Sequence, residues 1–266
     1  MSKSVCFLCL VAIGITASPT MLFAGAWTLD AGQGSAIVTW TPSQGDKVFG
    51  GSGSLQPIPR YSKQDLQALF EYGATNWLTL TLAPSLQNVE IGSPVEAQRS
   101  GLGYIDIGAR IRLWGGDSWV FSAQTTFRMP GTFANTNQAA IGFTDPEIDV
   151  RGLLGYSFAA GRWPAFIDVQ IAQRFRLGGP PDEFHTDVTI GLQPHDRWLF
   201  LLQSFNVISE GAGNWGFASY DYYKFQVSAV YKLTPAVSLQ LGGYTTYWGR
   251  NALQENGLVL GVWYKF

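Results

Sequence analysis

The sequence contains only two cysteines, Cys6 and Cys9, both within its first ten residues. Beyond Cys9 there is no thiol, which excludes a disulfide framework and a cysteine metal site from the body of the chain. Histidine is equally scarce, with His185 and His195 alone. Charged residues make up 14% of the 266, few for a soluble protein, while 46% are hydrophobic, too many for a disordered chain. No run of eighteen apolar residues follows the first thirty positions, which argues against a helical membrane span.

The amino terminus reads as a leader. Lys3 precedes an apolar run from Val5 to Ala17, and Ala24-Gly25-Ala26 supplies the small-x-small pattern after which signal peptidase cuts. The expected leader is therefore residues 1–26 and the expected mature domain residues 27–266, with a cut after Ala24 as the competitor. Both cysteines leave with the leader, and neither sits at the cleavage point as a lipid anchor would require. Removing Lys3 from the 17 basic residues leaves 16 against 19 acidic ones, a net charge of about −3 that gives no reason to expect nucleic acid as a partner.

The mature sequence is one repeating unit: twelve alternating segments separated by turn residues. They are Gly34–Thr41, Ser62–Tyr72, Trp77–Ser85, Gly103–Leu113, Ser118–Met129, Glu147–Phe158, Ala165–Leu177, Thr186–Gln193, Trp198–Ile208, Tyr222–Lys232, Val237–Trp248 and Gly257–Phe266. The connections alternate in length. Tight links at Gly73–Asn76, Trp114–Asp117, Ala159–Trp163, Pro194–Arg197 and Leu233–Ala236 take turns with longer ones at Pro42–Tyr61, Leu86–Leu102, Pro130–Pro146, Gly178–His185, Ser209–Asp221 and Gly249–Asn256. An even strand number, short turns at one end and long loops at the other predict an all-β fold, a twelve-stranded antiparallel transmembrane barrel of the bacterial outer membrane.

A soluble sandwich or lipocalin-like barrel shares the period with the opposite sense. Two features favour lipid outside. In Gly103–Leu113 one parity is Ile105, Ile107, Ala109, Ile111 and Leu113 while the other carries Asp106, Arg110 and Arg112, and the other segments likewise keep charge off the apolar parity. Aromatics also gather near the short turns, at Tyr72, Trp77, Trp114, Trp119, Tyr156, Trp163, Trp198, Tyr231 and Tyr264, as an interfacial girdle requires. Closure then follows, because unpaired backbone groups cannot face lipid. The last strand, GLVLGVWYKF, ends on Phe266, and this terminal aromatic resembles the signal that the outer-membrane assembly machinery reads.

The stretches EYGATNWLTLTL, Glu71–Leu82, and GLGYIDIGARIRLW, Gly101–Trp114, resemble the paired signatures of the MetA-pathway of phenol degradation family, although Tyr104 stands where an acidic residue is the pattern. The resemblance implies an outer-membrane barrel, transporter-like, that takes up aromatic compounds. It assigns no binding residue.

The charges on the inward parity cluster between the fourth and eighth segments: Asp106, Arg110, Arg112, Arg128, Glu147, Asp149, Arg151, Asp168, Arg174, Arg176 and Asp187. Adjacent strands lie about 4.8 Å apart, so opposite charges on one face can meet, either as a charged wall orienting solutes or as a salt-bridged filling. The Pro130–Pro146 loop, with Phe133 and Phe143, is a candidate constriction if it folds inward. FGGSGSL, Phe49–Leu55, lacks the lysine of a phosphate loop and reads as a mobile external loop. Trp215, Phe217 and Tyr220 are candidate aromatic contacts at the mouth. The two histidines fall at opposite ends of the predicted barrel, so no metal and no cofactor are expected. Outer-membrane phospholipase chemistry needs a histidine and a serine two positions apart, and His185 is followed at that spacing by Asp187, His195 by Arg197. The expected function is passive uptake of small molecules, with aromatic or hydrophobic solutes as the finer reading. A plugged structural barrel is the alternative, and a lipid-modifying enzyme stands behind both. The surroundings expected are the lipid bilayer and lipopolysaccharide.

Overall fold

A computed structural model describes residues 25–131, 139, 145–214 and 216–266. Its elements are β1 (Gly34–Phe49), β2 (Leu55–Thr75), β3 (Leu78–Ile91), β4 (Ala97–Gly115), β5 (Trp119–Pro130), β6 (Glu147–Ala160), β7 (Trp163–Arg176), β8 (Glu183–His195), β9 (Trp198–Ser209), β10 (Asp221–Lys232), β11 (Val237–Arg250), the two-residue β12 (Ala252–Leu253) and β13 (Asn256–Lys265). Each strand pairs antiparallel with its neighbours in sequence, and β1 closes the ring against β13 from Ser35↔Lys265 to Gln44↔Asn256. The short β12 only caps the end of β1 at Val48 and Phe49, so the wall has twelve staves. No described helix is long and apolar enough to cross a membrane; the strands do the crossing.

The side-chain parities fall as the alternation demands. Ile107 is 50% exposed and Val150 47%, both on the outer wall, whereas Arg110, Asp149 and Asp168 point inward and are buried. Tyr72, Trp77, Trp114, Trp119, Trp163, Trp198 and Tyr264 stand exposed around the short-turn rim. Stacking of Trp119 on Tyr156 and of Trp198 with Phe200 knits this belt across and along strands. Apolar wall, aromatic rim and closed ring together make the chain an outer-membrane barrel, with the short turns on the periplasmic side.

Two predicted long loops are mostly strand. The Pro42–Tyr61 and Leu86–Leu102 connections continue as ladders, from Ser43↔Lys63 to Phe49↔Leu55 and from Leu86↔Leu102 to Ile91↔Ala97. Above the hydrocarbon both faces of a strand meet water, so alternation lapses while backbone pairing continues. FGGSGSL is accordingly a tight turn, with Gly50 N–H donating to Ser54 O at 2.8 Å and Gly53 N–H to Gly50 O at 2.9 Å. Gly53 sits at φ 80°, a conformation glycine adopts freely.

A charge on the outer wall tests the orientation. Val150→Arg should destabilise the barrel in lipid vesicles by about 2–4 kcal/mol, measured by denaturant unfolding. Thr189→Arg, which faces the interior, should cost well under that.

Candidate functional site

The inward charges of β4 to β8 form one continuous ladder, written by strand register. Asp106 stands opposite Arg128, Arg128 opposite Glu147, Glu147 opposite Arg176, Asp149 opposite Arg174, and Arg174 opposite Glu183. Directly opposed residues have their Cβ atoms about 4.5–5.5 Å apart, so each arginine reaches its neighbour without strain. Arg128 bonds Asp106 at 3.0 Å and Glu147 at 2.8 Å. Arg176 and Arg174 both reach Glu183, at 2.8 and 3.2 Å. Arg174 continues to Asp149 at 3.2 Å, and Arg151 joins Asp149 at 3.2 Å to Asp187 at 2.5 Å. Burial makes these pairs obligatory: removing one partner leaves an uncompensated charge at a cost of about 3–5 kcal/mol. The ladder is thus a neutralised wall more than a free field of positive charge.

Tyrosines rim the ladder. Tyr104 hydroxyl approaches Glu147 at 3.2 Å and its ring stacks under Arg128, while the Tyr220 hydroxyl makes a short hydrogen bond to Glu183. Burial and the Glu183 carboxylate push the Tyr220 phenol above its ordinary range. His185 is bonded to Glu183 at 2.8 Å, on the same wall as Asp187. Among the described residues no group of three metal-ligating side chains forms.

Three of the eleven predicted lumen residues stand apart from the ladder, Asp168 among them, bonded instead to Ala26 and Gln170. Arg110 lies deeper, bonded to Glu71 at 3.0 Å and to Gln124 at 3.0 Å. Arg112 is at the periplasmic rim beside Gly115, where the β4–β5 register shifts between Arg112 and Trp114. Phe133 and Phe143, the candidate constriction, lie outside the described residues, as does Trp215.

A constriction is built from a different segment. Residues 25–33 run inside the barrel against the wall of β7, β5, β4, β3 and β2 before entering β1. Ala26 N–H donates to Asp168 at 2.7 Å and Ala26 O accepts from Ser122 at 2.6 Å. Trp27 O accepts from Arg110 at 3.1 Å, Leu29 N–H donates to Thr79 at 2.8 Å, and Ala31 N–H donates to Asn76 at 2.9 Å. Trp27 meets Phe166 edge-on at 6.0 Å and presses on Gly155, where a Cβ would come within 2.4 Å of the indole. Around it, Phe166, Leu199, Leu201, Val230 and Trp263 form an apolar cluster on the inner face. The periplasmic half of the lumen is therefore narrowed and in part apolar, contrary to the uniformly polar lumen that the alternation implies. The inward parity is free to be apolar wherever another segment covers it.

Between this strap and the β8–β13 side lies a cavity of about 350 Å³, lined by Gln170, Gln203, Gln226, Gln240, Phe205 and Trp263 among others. Its amides are hydrogen-bonded within the wall: Gln226 donates to Gln203 at 2.8 Å, and Gln240 donates to Ser228 while accepting from Trp263, both at 3.0 Å.

The opposite side of the mouth carries a second ion cluster. Glu255 accepts from Lys224 at 2.6 Å and from Ser43 at 2.7 Å, and Lys63 lies at 3.7 Å. The Lys224 ammonium sits over the rings of Tyr222 and Tyr244. Neither this cluster nor Glu71 and Glu183 stands among the predicted lumen charges. A signal was present, because Lys63, Asp65 and Glu71 share one parity of their segment.

Glu255 lies in the link between β12 and β13, above the membrane-spanning strands. Burial alone would raise its carboxyl, but the Lys224 and Lys63 ammonium groups outweigh that and lower it from 4.5 to about 2. A depressed carboxyl contributes stability above its unfolded pKa that is lost as pH falls through the folded one. Amide protection over residues 250–256, taken relative to the intrinsic exchange rate at each pH, should fall as pH drops from about 4.5 toward 2. Glu255→Gln should remove most of that dependence.

Comparison with protein-family models and with curated proteins finds no match. Among solved structures, an outer membrane channel from Pseudomonas putida F1 superposes with a TM-score of 0.76 at 15% identity, covering 92% of this chain and 100% of that one. The NanC porin gives 0.51 at 11% identity over 87% of this chain and 100% of its own. The KdgM porin gives 0.52 at 7% identity over 86% and 99%. At such identities the likeness is one of fold.

Proposed function

We propose that this barrel is an outer-membrane channel for passive passage of small molecules, with uncharged aromatic or apolar solutes as its preferred cargo. The observation that carries the reading is the cavity beside the strap, lined mainly by hydrogen-bonded glutamine amides and apolar side chains, with its ionic lining residue Asp187 already paired to Arg151. The arginines that would otherwise attract anions are spent on carboxylates. A solute entering between Tyr104, Tyr220 and Tyr244 meets aromatic faces first, then amides, then the Trp27 constriction. The fold shared with the channel from Pseudomonas putida F1 and the two porins supports a channel. The resemblance of Glu71–Leu82 and Gly101–Trp114 to the MetA-pathway family supports aromatic cargo. In this reading lipid and lipopolysaccharide surround the wall, and Phe266, exposed at the periplasmic rim, is the contact for the assembly machinery.

One observation favours a plugged structural barrel: Ala26 is 0% exposed within the lumen, so the strap is packed and not loosely hung. Electrical recording in planar bilayers separates the two. The channel reading expects small discrete openings from the wild type and larger ones from Trp27→Ala, which shortens the constriction by an indole. Silence from both proteins would sink it. Vesicles containing the wild type should admit a neutral aromatic alcohol faster than a sugar or an aromatic acid of similar size. Equal rates for all three would overturn the cargo preference.

A further inference from the structure

Asp168 is the one inward carboxylate of the expected set that neither the ladder nor the Arg110 cluster neutralises. It is 1% exposed, and no described lysine or arginine pairs with it. The neighbouring cations are committed elsewhere, Arg110 to Glu71 and Arg151 to Asp149 and Asp187. Among the described residues its carboxylate receives only neutral donors: the Ala26 N–H at 2.7 Å and the Gln170 amide at 2.6 Å. A buried carboxylate with no cation is costly to hold.

The nearest backbone beyond Ala26 is Gly25. A Cβ built there would lie 3.3 Å from Asp168 Oδ1 and 2.1 Å from Gln170 Nε2, so the residue packs against the Gln170 amide and beside the carboxylate. We propose that signal peptidase cleaves between Ala24 and Gly25, so that the mature chain starts inside the lumen and its Gly25 α-ammonium group pairs with Asp168. In the cleavage, water adds across the Ala24–Gly25 peptide bond. The Ala24 carbonyl carbon keeps the hydroxyl and leaves as a carboxylate, and the Gly25 nitrogen takes the hydrogen and becomes an amine that is protonated at neutral pH.

The boundary expected from small-x-small spacing, after Ala26, would delete both the N–H that bonds Asp168 and the carbonyl that accepts from Ser122. The buried Ser122 hydroxyl would then lose its acceptor and Asp168 one of its two donors. A cut after Ala24 keeps both bonds and adds the missing cation. The proposal rests on the leader read from the sequence and is independent of whether the barrel conducts.

The full chain, expressed with its leader and extracted from outer membranes, supplies the test. Intact mass and amino-terminal sequencing should give Gly25 as the first residue; a start at Trp27 or at any other position overturns the cleavage site. Acylation of the α-amine at pH 8, followed by peptide mapping, tests the ion pair. The folded wild type should label about five-fold or more slowly than the denatured protein, as one unit of raised pKa requires at a pH close to that of the free amine's own titration. Asp168→Asn, checked for folding by its gel mobility before and after heating, should recover most of the lost rate. Equal labelling of folded and denatured wild type would overturn the pairing whatever the variant does.

Discussion

The structure depends on one constraint: in hydrocarbon each backbone N–H and C=O must find its partner within the protein. The twelve staves meet it by closing on themselves, and the seam between β1 and β13 is where the ring is completed. Closure creates an interior with no solvent of its own. What fills that interior is then decided separately at each height.

In the outer half the filling is ionic. Opposed residues on β4 to β8 alternate in sign, so each arginine lies between carboxylates, and a mirror cluster of Lys63, Lys224 and Glu255 occupies the far side of the mouth. In the inner half the filling is a length of chain. Trp27 takes the place that a hydrophobic core residue would hold in a soluble protein, set against Phe166 and the apolar cluster around it. The two fillings meet at Arg110, which spans from Glu71 to the Trp27 carbonyl.

The membrane-spanning parts were legible in the sequence because lipid on one face and lumen on the other impose a strict alternation. Ile105 to Leu113 against Asp106 and Arg110 is the clearest instance. The ladders of Ser43–Phe49 and Leu55–Lys63 were not legible, since water on both faces leaves no period to read. The ion ladder was half visible: the opposite signs on one parity were plain, but which residues oppose each other depends on register, and Glu183 fell in a stretch read as loop. The strap was invisible for another reason. Ala26 and Trp27 straddle the boundary that the sequence pattern predicts for a leader, where small residues are expected for processing and not for packing.

The course of residues 25–33 has a mechanical consequence. Asp168 on β7 lies half a turn from the seam, and the segment that starts there ends in β1, one of the two seam strands. It is an internal half-hoop, fastened at β7, β5, β4, β3 and the β2–β3 turn. A thin cylinder without a core flattens easily, because its staves resist bending only through their mutual hydrogen bonds. Flattening this one would stretch or buckle the hoop, so the same nine residues that narrow the passage also keep its cross-section round.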